Sequence, residues 1–242
     1  SMGTNREKQL QELEGSMGYR FRNRDCLAEA LTHRSFVNES REAALRDNQR
    51  LEFFGDAVLG LLVSRRLFER FPDMGEGELS RIRASLVDEP ALAAVAEKIC
   101  LGKYLLLGRG EEKTGGRRKR SILADALEAL VAAVYLDGGL AAAEQVVDDL
   151  FGASLDRVGV EFIGRDFKTR LQEVCHAFYG KAPRYVLEEV SGPDHERVFK
   201  VSVRINGECL GMGVGKSKKM AEQAAARRAL EQLGEAGEPA RQ

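Results

Sequence analysis

Residues Phe199–Val214 read FKVSVRINGECLGMGV, and this stretch decides the fold of the C-terminal third. Phe199, Val201, Val203 and Ile205 alternate with Lys200, Ser202 and Arg204, so apolar side chains line one face of a strand and polar ones the other. Asn206-Gly207 is a hairpin signal, and Glu208–Val214 continues as the return strand. Upstream, Arg184–Val190 follows Pro183 as a first strand, and Ser191–Glu196 forms the turn between them. The spacing predicts a helix on each side: Asp166–Tyr179 before the strands, and the Ala-rich Ser217–Leu233 after them, stopped by Gly234. The C-terminal third is therefore an α+β unit of order α-β-β-β-α.

Toward the N-terminus the pattern changes. Up to about residue 150 the apolar residues recur at three-to-four spacing, with no sustained two-residue alternation, as in an all-α domain. Gln49–Phe71 is one such helix, closed by Pro72, and Glu78–Ile99 is another, interrupted near Pro90. Gly108–Arg120 (GRGEEKTGGRRKR) is Gly-rich and charged, and reads as a mobile basic loop. Gly152–Arg165 reads as a connector. The expected division is residues 1–153 for the helical domain, 154–165 for the linker and 166–235 for the α+β domain.

A chain of 242 residues, 43% hydrophobic and 31% charged, has the length and composition of a globular protein that needs no disulfide or metal staple. Cys26, Cys100, Cys175 and Cys209 are far apart, which argues against a zinc site and for reduced, packed thiols. The polar N-terminus and the lack of a long uncharged apolar run argue against secretion and membrane insertion, so a cytoplasmic protein is expected. Charge is unevenly placed. Asp166–Gly234 holds 12 Lys/Arg and 9 Asp/Glu, a surplus of +3, and the total of −1 leaves −4 for the remainder. The basic third suits a polyanion; the acidic part holds a different signal.

In Leu51–Val63 (LEFFGDAVLGLLV) the only charged residues are Glu52 and Asp56, and in Ile122–Leu136 (ILADALEALVAAVYL) they are Asp125 and Glu128. Acids four or three apart share one face of a helix. Burying ionised carboxylates without a basic partner costs several kcal/mol each, so such pairs call for a cation, and all-oxygen ligands suit a hard ion such as Mg²⁺ or Mn²⁺. Acids that cap a helix or pair with a distant Arg are the competing explanation. Residue chemistry alone leads to a divalent-metal site acting on phosphate.

Asn48–Gly60 (NQRLEFFGDAVLG) resembles the signature of the ribonuclease III family of double-stranded-RNA endonucleases. Ile122–Gly138 is similar to that family's second catalytic segment, and Leu31–Ser35 (LTHRS) and Glu76–Val87 (EGELSRIRASLV) match further blocks. The resemblance implies that Glu52, Asp56, Asp125 and Glu128 bind Mg²⁺, with Mn²⁺ as a substitute, and that Asp56 and above all Glu128 serve turnover. It implies a homodimer in which Phe53 fills a cavity of the second subunit. Each of two composite sites then cuts one strand, leaving 5′-phosphates, 3′-hydroxyls and short 3′ overhangs, in the processing of ribosomal RNA precursors and other structured transcripts. Gln49 departs from the pattern, since a Glu often stands there; Glu76 matches an acid linked to cleavage-site architecture.

The C-terminal unit resembles the double-stranded-RNA-binding domain through DFKTRLQE (166–173), GPDHE (192–196) and GKSKKMAEQAAARRAL (215–230). By that resemblance Thr169, Gln172 and Glu173 meet one minor groove, His195 meets the next, and Lys216, Lys218 and Lys219 straddle the phosphates between. A P-loop reading of GVGKS fails, because GxxxxGK needs Gly where Leu210 stands. His33 and His176 are read as orienting or packing residues. Two rival functions stay open: a non-cleaving RNA-binding or ribosome-associated protein, and a nucleotide phosphohydrolase, which leaves the C-terminal unit unexplained.

Overall fold

The computed structural model describes residues 2–42, 44–72 and 74–236; the side chains of residues 2–4, 160–166 and 235–236, which include part of the expected connector, lie outside that description. The chain forms two compact units, Ser1–Leu155 and Asp156–Gln242.

The first unit is helical. Its elements are α1 (Met2–Met17), α2 (Arg24–Ala30), α3 (Arg34–Glu39), α4 (Gln49–Arg70), α5 (Glu76–Val87), α6 (Glu89–Lys98) and the short α7 (Arg109–Lys113), with 3₁₀ turns at Leu101–Tyr104 and Gly116–Arg118. The last helix, α8, spans Arg120–Tyr179 and is broken at Gly139, where φ is +82°. Residues expected as a connector are thus helical. The break near Pro90 falls at Asp88, whose carboxylate caps α6 by accepting the N–H of Ala91 (2.9 Å); Pro90 sits in the first turn, where its missing N–H costs nothing.

The first half of α8 is the core helix of this unit, with Leu123, Leu127, Leu130 and Val134 fully buried. Arg120–Gly159 has the length and hydropathy of a membrane span, but half of its most apolar window is buried inside the protein, as a core helix requires. Beside it runs α4. Phe54 stacks edge-on against Tyr135 (centroids 5.3 Å apart), and Arg66 Nε donates to Asp148 (2.6 Å).

Gly108–Arg120 corrects the expectation of a mobile loop. Glu39 accepts the N–H groups of Arg109 (2.8 Å) and Gly110 (3.3 Å), and Arg117 Nη1 donates to the carbonyls of Gly102 (2.9 Å) and Leu105 (2.7 Å). Two of its glycines serve close packing: a Cβ on Gly108 would lie 2.6 Å from the Ser35 carbonyl oxygen, and one on Gly116 would lie 2.9 Å from the Glu111 carbonyl oxygen. Another correction concerns the cysteines. All four are free, but only Cys175 is buried, while Cys100 and Cys209 are exposed.

The second unit packs the end of α8 and α9 (Lys218–Ala236) on one face of an antiparallel sheet, β1 (Arg184–Ser191), β2 (Val198–Ile205) and β3 (Glu208–Gly215), in the order β1-β2-β3. Asn206 and Gly207 both have positive φ (50° and 85°), the type I′ turn that matches strand twist. Gly234 does not stop α9, which runs on to Ala236. Leu171, Cys175, Val203, Ile205, Ala225, Ala226 and Ala229 form the core.

Close approach of β3 to α9 explains the GMGVG pattern. Gly211, Gly213 and Gly215 face Ala229, Ala225 and Ala221 in turn, and a Cβ on Gly213 would lie 2.2 Å from both the Ala221 carbonyl oxygen and the Ala225 nitrogen. Neither atom can yield, since both are helix backbone. Gly213→Ala is expected to destabilise this unit by about 3 kcal/mol. Hydrogen exchange of the full chain checks this: β3 and α9 amides should lose protection while α4 amides keep theirs, and unchanged protection in β3 contradicts the packing argument.

Candidate active site

Asn48 sets the start of α4. It is buried, its N–H donates to the Thr32 carbonyl (2.9 Å) and its Nδ2 to that of Ala30 (3.1 Å), while its own carbonyl accepts the N–H of Glu52 (2.8 Å). Helix α4 is thereby fixed to the α2–α3 segment one turn before its first acid. On the other side, Gly55 lets α4 touch α8: a Cβ there would lie 1.8 Å from the Glu128 carbonyl oxygen. The two helices meet backbone to backbone at the level of the acids.

Glu52, Asp125 and Glu128 converge, with one carboxylate oxygen from each lying within 4.8 Å of the others. All three are half-buried rather than buried. Asp56 corrects the expectation of four converging acids: it is exposed and outside this group. Four residues advance a helix by one turn plus about 40°, and an aspartate is one methylene shorter than a glutamate. Its charge still reaches both Glu52 and Glu128.

Repulsion and desolvation act together on this cluster. Burial, then Asp56, Glu52 and Asp125, push the Glu128 carboxyl up to about 7 from 4.5. Burial followed by Asp125 and Asp56 raises Glu52, and burial followed by Glu89 raises Asp125, an effect opposed by His33. A carboxylate trio that resists ionisation is chemically suited to a hard divalent cation, which relieves all three penalties at once. Sequence reasoning missed Glu89 and Asn48. The Asp-Glu-Pro run around Glu89 signals a helix start, and nothing local places it near Asp125.

The other expected site residues are distributed as follows. Phe53 is 82% exposed, and Leu61 and Phe68 extend an exposed apolar stripe along α4. Gln49 opens α4 as an exposed residue, and Glu76 opens α5, bonded to Ser80 Oγ (3.0 Å). In the second unit Thr169, Gln172 and Glu173 are exposed on α8 while Leu171, between them, and Cys175, just beyond, are buried. His195 is exposed in the β1–β2 turn, where the Glu196 N–H donates to the Pro193 carbonyl (2.8 Å). Lys216, Lys218 and Lys219 are exposed around the N-terminus of α9, a helix end whose free N–H groups favour anions. Ser217 caps that end, accepting the N–H of Met220 (3.2 Å).

Residues 23–154 match the ribonuclease-III-like family model, and residues 167–233 match the double-stranded RNA binding motif. A ribonuclease 3 of Geobacter metallireducens is 55% identical over 94% of this chain and 93% of its own length. The chain belongs to the ribonuclease III family. It is a double-stranded-RNA endonuclease, with a helical nuclease domain followed by an RNA-binding domain, and its family is one of metal-dependent nucleases. Among solved structures, the nuclease domain of ribonuclease III from Campylobacter jejuni is similar at 41% identity and a TM-score of 0.56, covering 61% of this chain and 96% of that one. A second structure of that domain, 42% identical with a TM-score of 0.54, covers 58% of this chain and 94% of that one; it is described as flexible in a region involved in dimer formation.

Proposed function

We propose that this endonuclease is Mg²⁺-dependent, with Mn²⁺ able to substitute, that it acts as a cytoplasmic homodimer, and that it leaves 5′-phosphates, 3′-hydroxyls and short 3′ overhangs. The observation that carries this reading is the convergence of Glu52, Asp125 and Glu128 in a nuclease domain joined to an RNA-binding domain. Glu52, Asp125 and Glu128 hold the ion, and Asp56 adds charge and a fourth oxygen donor from the rim. When bound, a divalent ion supplies the charge that neutralises the leaving oxygen and lowers the pKa of water to make a nucleophile. The domain division we favour is 1–153, 154–165 and 166–235. Precursors of ribosomal RNA and other structured transcripts are the substrates we assign.

RNA affinity is assigned to Thr169, Gln172, Glu173, His195, Lys216, Lys218 and Lys219. Such surfaces read A-form shape rather than sequence. The homodimer reading is supported by exposed Phe53 and by a groove of about 680 Å³ lined by Leu61, Leu67, Phe68, Met74 and Leu79, which suits an aromatic ring from a partner copy. Glu76 and Arg83 also line it.

Incubating the full chain with a long RNA duplex tests the reading. Cleavage with Mg²⁺ and none with chelator is expected; cutting that persists in chelator refutes the metal assignment. Replacing Lys216, Lys218 and Lys219 together by Ala should weaken duplex binding about tenfold or more at physiological salt and flatten its salt dependence. An unchanged salt slope removes those lysines from the interface.

A further inference from the structure

Lys168 ties three elements of the second unit together. It lies on α8, and its Nζ donates to Glu222 Oε2 on α9 (2.8 Å) while standing 4.6 Å from the centre of the Tyr185 ring on β1. Both charged side chains are partly covered, with relative exposures of 34% and 18%. Tyr185 pairs with Val203 in the sheet and packs against the domain core, and its hydroxyl is buried with no hydrogen-bond partner among the described residues. An ammonium held between a carboxylate and an aromatic face is better fixed than the ends of an exposed ion pair.

This clasp joins the helix faces that carry the RNA contacts assigned above. Thr169 follows Lys168 directly, and Gln172, four residues on, shares its face of α8; Lys218 stands four residues before Glu222 on one face of α9. A surface that reads A-form shape meets two minor grooves and the phosphates between them, so its two helices must keep a set spacing. The core beneath them is apolar and non-directional, and on α9 it consists of Ala225, Ala226 and Ala229. The bridge adds a directional link between α8 and α9. It also neutralises Lys168, which counts toward the basic surplus of this third without offering a free charge to a phosphate.

We propose that Lys168 and Glu222, clasped over Tyr185, are positioning residues for RNA: their bridge sets the spacing between the minor-groove residues of α8 and the lysines at the start of α9. The proposal rests on the RNA-contact assignment given above.

Positioning and charge predict opposite signs at Glu222. Lys168→Met and Glu222→Met remove the charges and keep the length of the side chains. Filter binding of the full chain to a long RNA duplex in chelator, over a range of salt and alongside thermal unfolding, reads the outcome. Glu222→Met deletes a negative charge, so charge alone would tighten binding; loss of the clasp is expected to weaken it about fivefold. Lys168→Met should weaken binding by a similar factor at the parental salt slope, whereas a lysine seated on a phosphate would lower the slope by about one. The double variant should bind no more weakly than either single one, since both lose the same link. Lys168→Arg keeps the bridge and the ring contact and should bind as the parent does. Ile205→Val, a core change away from the clasp, should melt lower and bind normally where it is folded. Parental or tighter binding by Glu222→Met, a reduced slope in Lys168→Met, losses that multiply in the double variant, or an equal loss in Ile205→Val each overturn the proposal. Replacing Lys216, Lys218 and Lys219 together by Ala is the reference: if that variant binds like the parent, the contact assignment fails and the role of the clasp with it.

Discussion

Glu128→Gln is expected to bind duplex RNA as the parent does and to cut it about a thousandfold more slowly or worse. The amide keeps the shape of the side chain and removes the charge that a cation needs, and the RNA-binding domain is untouched. Single-turnover cleavage and a filter-binding isotherm on the same preparation give the two readouts; parental cleavage would show that Glu128 is not a working ligand. A second consequence follows from the cluster's repulsion. Glu128 sits at about 7 in the folded chain against 4.5 ordinarily, so the folded state favours its protonated form. Its stability contribution is intact below pH 4.5 and is lost as pH rises through about 7. Taken at face value that loss is about 3 kcal/mol, and partial solvent screening reduces it to about 1 kcal/mol. In the metal-free state, Glu128→Gln should therefore melt a few degrees above the parent at pH 8, and the two curves should converge near pH 4. A variant that melts lower at pH 8 contradicts the repulsion argument.

The acids were legible because charge is conspicuous in an apolar helix; their geometry was not. Glu52, which joins the cluster, and Asp56, which stays on the rim, lie near one face of the helix, and the offset of about 40° and the shorter aspartate side chain decide between them only once the approach of α8 is known. Helix limits followed from Pro72 and from the interruption near Pro90, and the β2 alternation and the Asn-Gly turn fixed the C-terminal sheet. Gly108–Arg120 misled because composition alone cannot tell a glycine that frees the backbone from one that admits a neighbour. There, Glu39 and Arg117, distant in sequence or facing backbone carbonyls, supply the order. Gly234 misled in the same way, since a glycine ends a helix only where the chain has a reason to turn.

The same distinction makes Gly55→Ala the most damaging small substitution in the nuclease domain. In an exposed helix, Gly→Ala stabilises by about 1 kcal/mol. Gly15, exposed in α1 with nothing within 4 Å of its ideal Cβ, should behave this way. At Gly55 the added methyl would stand 1.8 Å from the Glu128 carbonyl oxygen and 2.5 Å from its carbonyl carbon. No rotamer relieves a clash with helix backbone, so α4 and α8 must separate by about 1.5 Å to restore ordinary contact. Overpacking of this kind costs about 3 kcal/mol, which outweighs the helical gain. The separation also acts on chemistry, because it carries Glu52 away from Asp125 and Glu128, and a displacement of about 1 Å at a reacting site can cost about a hundredfold in rate. Gly55→Ala should melt well below the parent and cleave at least about a hundredfold more slowly even at temperatures where it is fully folded. Gly15→Ala should melt slightly higher with full activity. Equal stabilisation by both substitutions would mean that the helices do not meet at Gly55, and the three-carboxylate geometry that depends on that meeting would have to be abandoned.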